Sequence, residues 1–249
     1  KAKIAFSCSR CGMKFSVMAE FAGRSTKCPS CKEALVVPSP DETVAYVPVE
    51  GSAHELMCRF LSQYTGIDLR SIRTARLTPN DFNKLTHAAG VLGAYPLSII
   101  EETKWAKIRA NIQLLKMREP KLSAVFIDYL GLIEVARNFR EREREVAFLS
   151  ADIKRLAKEL NVVMFSLVQI NRQSENRKDH RPLISDLRES GAIEQDADVI
   201  LLLYRPAVYN ESRDERLTEV CIGKARNAST GSAELAFEKS CVRFTERSG

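Results

Sequence analysis

Apolar positions along this 249-residue chain fall into two kinds of run. Short β-rich runs stand at 44–49, 122–127, 162–168, 199–204, 217–222, 233–237 and 241–244, and amphipathic stretches lie between them. The clearest helix is predicted over 141–160, where Val146, Leu149, Ile153, Leu156 and Leu160 recur at intervals of three and four while charges fill the other faces. Strand and helix in alternation predict an α/β fold with a mostly parallel sheet covered by helices. Two helix starts are legible. Ser52-x-x-Glu55 reads as a capping box, and Thr78-Pro79-x-Asp81 puts proline at the first helical position. Pro48 cannot donate a ladder hydrogen bond, which predicts an edge or a bulge for the 44–49 strand. The Arg- and Glu-rich stretch 140–145 reads as a solvated helix end, with a binding patch as the other reading.

The first forty residues follow a different pattern. Cys8-x-x-Cys11 and Cys28-x-x-Cys31 are two close pairs sixteen residues apart, within the spacing of a four-thiolate zinc site. Gly12 and Pro29 suit the tight knuckles that aim two sulfurs at one centre. Tetrahedral zinc with four thiolates has no open position, so the reading is a structural zinc ribbon; redox-active or merely buried thiols are the alternatives. Phe6, Phe15, Val17 and Phe21 would supply its small core, with the metal providing most of the stability. The polar, proline-bearing segment 38–43 predicts a linker, giving a ribbon at 1–37 and a long domain at 44–249. Cys58, Cys221 and Cys241 read as small buried hydrophobes, and His54, His87 and His180 show no ligand spacing.

Composition bounds the class. With 45% apolar and 28% charged residues, the chain is neither a disordered tail nor a disulfide-stapled miniprotein. No apolar run reaches the roughly 18 residues of a membrane span, and the first residues lack a signal-peptide stretch. These features predict a cytoplasmic protein with no membrane partner, and a Lys at position 1 suggests a trimmed chain or part of a longer one. The net charge of +6 is uneven: residues 1–40 hold seven Lys or Arg against two Glu, a net of +5, leaving +1 for the rest. Four thiolates and a zinc ion would lower the ribbon's share to about +3.

Ala124-Val-Phe-Ile-Asp128 is an apolar strand ending in a carboxylate, either a magnesium-organising acid or an acid favoured by the following turn. Further elements follow in order: Val47-Pro-Val-Glu50-Gly-Ser-Ala; Leu77-Thr; Phe126-Ile-Asp128-Tyr-Leu-Gly-Leu-Ile; Val168-Gln169-Ile-Asn171-Arg172; Ser185-Asp-Leu-Arg188-Glu189-Ser-Gly191-Ala-Ile-Glu194-Gln195-Asp196-Ala-Asp198; and Lys224-Ala-Arg226-Asn227 with Thr230-Gly231. Over residues 44–244 this series resembles the C-terminal RecA-like motor domain of DnaB-type replicative DNA helicases.

The resemblance implies an ATP-dependent helicase that uses magnesium and works as a ring on single-stranded DNA, either a homo-hexamer or a mixed ring with an intact helicase. It assigns Glu50 as the catalytic glutamate that orients the attacking water, and Asp128 as the magnesium-organising acid. Gln169 becomes the sensor of nucleotide state, and Lys224 and Arg226 the basic pair reaching a neighbouring subunit's ATP site. Arg188, Glu189 and Gly191 fall in the loop lining the DNA channel. Read without the resemblance, these are an acid at a helix start, a strand-end amide, a solvated basic turn and a charged helix start beside glycine. The segment 171–181 is polar and basic and lacks an aromatic residue to stack bases, which predicts a backbone-contacting or disordered loop.

One element of the family's pattern is missing. None of the eleven glycines stands in G-x-x-x-x-G-K-[ST], and Gly223-Lys224 lacks both the earlier glycine and the hydroxyl residue. The cysteine segment occupies the place where the phosphate-loop strand and helix belong, so a strand and a helix of the expected sheet are also missing. The chain alone is therefore expected to hydrolyse ATP poorly. The alternative function is a non-catalytic nucleic-acid or partner-binding protein that uses the ribbon on a degenerate helicase scaffold.

Overall fold

The computed structural model describes residues 3–8, 11–18, 21, 25–36, 42–136, 139, 141–171, 175, 177–187, 190–210 and 212–247. Its contacts divide the chain into two compact units, Lys1–Thr43 and Val44–Gly249.

The first unit is two hairpins. β1 (Lys3–Ser7) pairs antiparallel with β2 (Lys14–Met18), and β3 (Ser25–Lys27) pairs with β4 (Ala34–Val36). Phe6 lies opposite Phe15 in the first register, Phe15 and Val17 are half-buried, and Phe21 is exposed.

The second unit begins with β5 (Thr43–Pro48), α1 (Ala53–Thr65), α2 (Leu69–Arg73), α3 (Pro79–Leu92) and β6 (Leu97–Ile99). It continues through α4 (Trp105–Arg118), β7 (Leu122–Asp128), α5 (Arg142–Leu160) and β8 (Val163–Ser166). α6 (Ser190–Asp196) then leads into β9 (Val199–Tyr204), β10 (Leu217–Ala225), β11 (Gly231–Glu238) and β12 (Arg243–Glu246). The strands form two sheets rather than one. A four-stranded sheet runs in the order β6-β5-β7-β8, with β5–β6 and β7–β8 parallel, and an antiparallel sheet runs β12-β11-β10-β9. The antiparallel part follows from its short connections, since only parallel neighbours need a crossover helix between them.

The predicted helix at 141–160 is α5, and its periodic residues Val146, Leu149, Ile153 and Leu156 are all buried. They meet Val47, Val125 and Ile127 from the parallel sheet, Ile108 and Ile112 from α4, and Ile200 and Leu202 from β9. One apolar core therefore serves both sheets. α4 is tied to α5 at a buried acid: Asp152 accepts from Trp105 Nε1 at 2.7 Å and from Arg109 at 2.9 Å, and its other oxygen accepts from Arg155.

The sequence expectations meet the structure unevenly. Thr78 and Asp81 form a full capping box with Pro79 at the first turn of α3. At Ser52 only half the box forms: Ser52 Oγ accepts from the Glu55 amide at 3.3 Å, while the Glu55 carboxylate turns to Arg73, also at 3.3 Å. Pro48 is not on an edge strand, because β5 is central. It is the strand's last residue, and the Val49 amide beyond it donates to Asp128 O instead. The stretch predicted as a strand at 241–244 pairs two residues later, as β12, and β6 is too short to show as a period.

Candidate functional site

β5 and β7 are neighbours in the parallel sheet, so their carboxyl ends open at one rim, where sheets of this kind place their ligands. The amides of Val49 and Glu50 both donate to Asp128 O, at 2.7 and 3.2 Å. That backbone clasp sets the two predicted acids, exposed Glu50 and half-buried Asp128, next to each other. The chain then turns through Gly51 at φ 105°, a conformation that favours glycine, and a Cβ there would come within 2.8 Å of Glu55 Oε2. Ser52 caps α1, and Glu101 accepts from the Ala53 amide at 2.7 Å, fixing the start of the helix.

One Asp128 oxygen is engaged. Tyr46 Oη donates to Oδ2 at 2.6 Å, and burial, reinforced by this bond, holds the Tyr46 hydroxyl well above its ordinary pKa. The Tyr46 ring stacks on Phe126 (6.1 Å between centroids), which stacks on Phe165 (4.5 Å). Tyr46 is a site residue that sequence reasoning missed; its only signal is a phenol placed between the inward-facing Ala45 and Val47.

Gln169 lies at the same rim. Beyond β8 the chain stays beside the end of β7, with Leu167 N donating to Ile127 O and Leu130 N to Leu167 O, both at 3.0 Å. Gln169 follows two residues later and is exposed.

Lys224 and Arg226 stand elsewhere, at the end of β10, after an irregularity in its register. Both turn back onto their own chain. Lys224 Nζ donates to Glu194 O, and Arg226 donates to Gln195 O at 2.6 Å and pairs with Asp198 at 3.1 Å. Lys154 first, and Arg226 after it, hold the Asp198 carboxyl below the usual carboxylate range. Gly191 is the second residue of α6, and a Cβ there would meet nothing within 4 Å. Arg188 and Glu189 lie outside the described residues, as does Arg172.

The predicted basic loop keeps two cations occupied: Arg177 pairs with Asp186 and Arg181 with Glu219. Aromatic rings do reach this loop, from elsewhere in the sequence. His180 stacks on Tyr209 at 4.4 Å, and Arg181 lies 4.9 Å from the centre of the Tyr204 ring. They line a cavity of about 360 Å³ that no local pattern could reveal.

In the first unit, Cys8 and Cys31 Sγ are 3.6 Å apart, as are Cys11 and Cys28, and all four sulfurs lie within 4.8 Å of one another. Zinc–sulfur bonds of about 2.3 Å in a tetrahedron need sulfurs roughly 3.8 Å apart, so the set fits a four-thiolate ion. The knuckles match: Gly12 N donates to Cys8 O and Lys32 N to Cys28 O, and Gly12 and Lys32 both take positive φ, 69° and 62°. The Cys31 amide, above other causes, lowers the Cys28 thiol to about 6. The Glu33 amide lowers Cys31, but burial and the neighbouring sulfurs outweigh it and raise that thiol to about 12.

A family model for the DnaB-like helicase C-terminal domain matches residues 19–246. The replicative DNA helicase DnaB of Geobacillus stearothermophilus is 40% identical over 213 residues, 84% of this chain and 47% of that protein. The replicative DNA helicase DnaC of Bacillus subtilis is 38% identical over the same shares. The solved ATPase domain of G40P superposes with a TM-score of 0.79 at 34% identity, over 84% of this chain and 75% of that one. A DnaB-like replicative helicase solved for its interactions with primase gives 0.80 at 33%, over 85% and 52%. The chain thus spans about half the length of the curated relatives it matches. No helix among the described residues is long and apolar enough to cross a membrane. Strand-end acids on a shared rim, a helicase-like fold and this level of identity agree: the chain belongs to the DnaB-like helicase family, through its C-terminal domain.

Proposed function

We propose that residues 44–249 are the motor portion of a replicative DNA helicase, working in a ring on single-stranded DNA and coupled to ATP hydrolysis. The observation that carries this reading is the double clasp of Val49 N and Glu50 N on Asp128 O, which holds two carboxylates on adjacent strand ends. ATP-bound magnesium would offset the charge developing on the transferred phosphoryl group. Asp128 would hold that ion once Tyr46 releases it, Glu50 would orient the attacking water, and Gln169 would sense the nucleotide from the next strand end. Lys224 and Arg226 would serve a neighbouring copy's site after leaving Glu194, Gln195 and Asp198, and these exposed pairs cost little to break. Arg188, Glu189 and Gly191 would follow DNA phosphates in the channel.

Residues 1–249 contain no phosphate-loop motif, so the chain alone should show no ATPase above background. A DNA-stimulated rate lost in Glu50→Gln would overturn that part. Mixing with an intact relative tests the rest: co-elution, and an ATPase changed by wild-type chain but not by Arg226→Ala, is expected. Independent elution and an unchanged rate would remove the helicase reading.

A second reading is favoured by the sulfur geometry: Cys8, Cys11, Cys28 and Cys31 hold a structural zinc ion, forming a ribbon at 1–37 that binds nucleic acid or a partner. One zinc per chain by metal analysis, lost in Cys28→Ser, is expected; a metal-free, folded ribbon would refute it.

A further inference from the structure

The cavity of about 360 Å³ beside the 177–187 loop shares no residue with the rim of Glu50, Asp128 and Gln169, nor with the 188–191 segment, so the helicase reading leaves it without a role. Its volume lies near the lower end of the range for small-molecule sites, about 300–1,000 Å³, enough for one small ligand. Three segments close it: 178–181, the end of β9 with the turn to Arg213, and the start of β10. Tyr204 alternates along β9 with Ile200 and Leu202, which join the core with α5, so it lies on that same face of the antiparallel sheet. Its hydroxyl donates to Asp179 O at 2.7 Å and holds the loop against the strand.

Three rings in the cavity wall are nearly parallel. His180 and Tyr209 stack at 4.4 Å with 10° between their planes, and Tyr209 and Tyr204 at 6.1 Å with 14°. Tyr204 is buried and has Arg181 over its ring, whereas Tyr209 is 42% exposed and keeps ring surface open. Both acids of the wall are engaged. Glu219 binds Arg181 through its two oxygens, and Asp179 Oδ1 accepts from the Arg181 amide at 3.3 Å. Lys178 and Arg213 line the same cavity and form no ion pair among the described residues. Asn210 Oδ1 accepts from Ser212 Oγ at 2.7 Å and from the Ser212 amide at 3.0 Å, while its NH2 group makes no hydrogen bond among the described residues. An open aromatic surface, two uncommitted cations and an unused amide donor suit a planar heterocycle that carries an anion. A purely apolar ligand would leave the cations unanswered, and a bare anion would leave the ring unused.

We propose that this cavity binds one nucleotide: its base stacks on Tyr209, a carbonyl on the base edge accepts from the Asn210 amide, and its phosphate pairs with Lys178 and Arg213. A free nucleotide and one unit of a single strand offer the same chemistry. The subsite goes beyond the motor reading and does not depend on it, because it needs neither subunit assembly nor ATP hydrolysis.

The test uses the full 249-residue chain with a fluorescent thymidine oligomer, its abasic counterpart and thymidine monophosphate, at high salt to screen the attraction of the basic first unit. Saturable binding by anisotropy is expected for the thymidine strand and not for the abasic one. Tyr209→Ala should weaken it about tenfold, the worth of one base stack, and Tyr209→Phe should restore it. A strand carrying 5-iodouracil should crosslink to Tyr209 under ultraviolet light. The emission of the lone, buried Trp105 should stay unchanged in both variants as the check on folding; if Tyr209→Ala fails it, the crosslink on the wild-type chain decides. Thymidine monophosphate that competes at concentrations comparable to the oligomer identifies the ligand as a free nucleotide, and competition by strands alone identifies it as single-stranded nucleic acid; either result supports the subsite. No saturable binding of either probe overturns it. So does binding that a folded Tyr209→Ala chain retains in full, equal binding of the abasic strand, or crosslinks confined to residues 1–40.

Discussion

At the scale of single residues, hydrogen bonds to one acid separate packing from chemistry. Tyr46 Oη is the donor on Asp128 Oδ2, and the Tyr46 ring is the outer member of a three-ring stack. Tyr46→Phe keeps the ring and leaves a half-buried carboxylate oxygen without its donor, so it should cost about 1–3 kcal/mol in urea unfolding. Asp128→Asn keeps a carbonyl acceptor for the phenol and should cost less. The reverse order would mean that the charge on Asp128 stabilises the fold. The raised Tyr46 pKa fixes a sign as well: its stabilisation is full below the unfolded tyrosine's pKa near 10 and is lost as pH rises beyond it. Wild type should therefore lose stability in alkali more steeply than Tyr46→Phe. In the cysteine unit, Lys32 holds at φ 62° the place that Gly12 holds at 69°. A left-handed lysine costs roughly 1 kcal/mol, so Lys32→Gly should tighten zinc binding several-fold and Gly12→Ala weaken it similarly, by competition with a chelating dye. That exchange also removes the Lys32 Nζ hydrogen bond to Pro29 O.

At the scale of elements, strength of pattern decided what was legible. The α5 heptad-like period, the Thr78 cap and the strand ending in Asp128 were readable because each is a local signal read along one segment. The clasp between Glu50 and Asp128 was not, because 78 positions separate partners that only sheet order makes neighbours. The same limit hid the His180–Tyr209 stack, and it hid that Lys224 and Arg226 fold back onto α6. The split into two sheets was also invisible, since a continuous apolar run such as 199–204 looks alike whether one face or both are covered. Asp198 carries the testable consequence. Its lowered pKa means the Lys154 and Arg226 pairs stabilise above the unfolded aspartate's value and are lost as pH falls through the folded one. Asp198→Asn should remove that acid-side component and release Arg226. If Arg226 acts on a neighbouring copy, the variant should stimulate a mixed ring more than wild type does, whereas an equal or lower rate would show that the pair positions Arg226 productively.

At the scale of the whole molecule, charge and motor are in different places. The first forty residues hold +5 of the +6, and within the long domain Arg109, Arg155, Arg177, Arg181 and Arg226 are all paired with acids. With a net of only +1 outside the first forty residues, a single copy's attraction for single-stranded DNA should come mainly from the cysteine unit. Each phosphate neutralised on a single strand contributes about −0.7 to the slope of log affinity against log salt. Lys14→Gln with Lys27→Gln, both exposed in the first unit, should then flatten the slope by roughly 1.4 for the isolated chain if both touch phosphate. Arg188→Ala should change it little in that state. In the proposed ring the ranking should invert, because one Arg188 from each copy would then contact the strand while the cysteine units need not meet it. A slope insensitive to the two lysines in the isolated chain, or equally sensitive to Arg188 in both states, would place DNA contact in the motor itself and end the division of labour drawn from the charge.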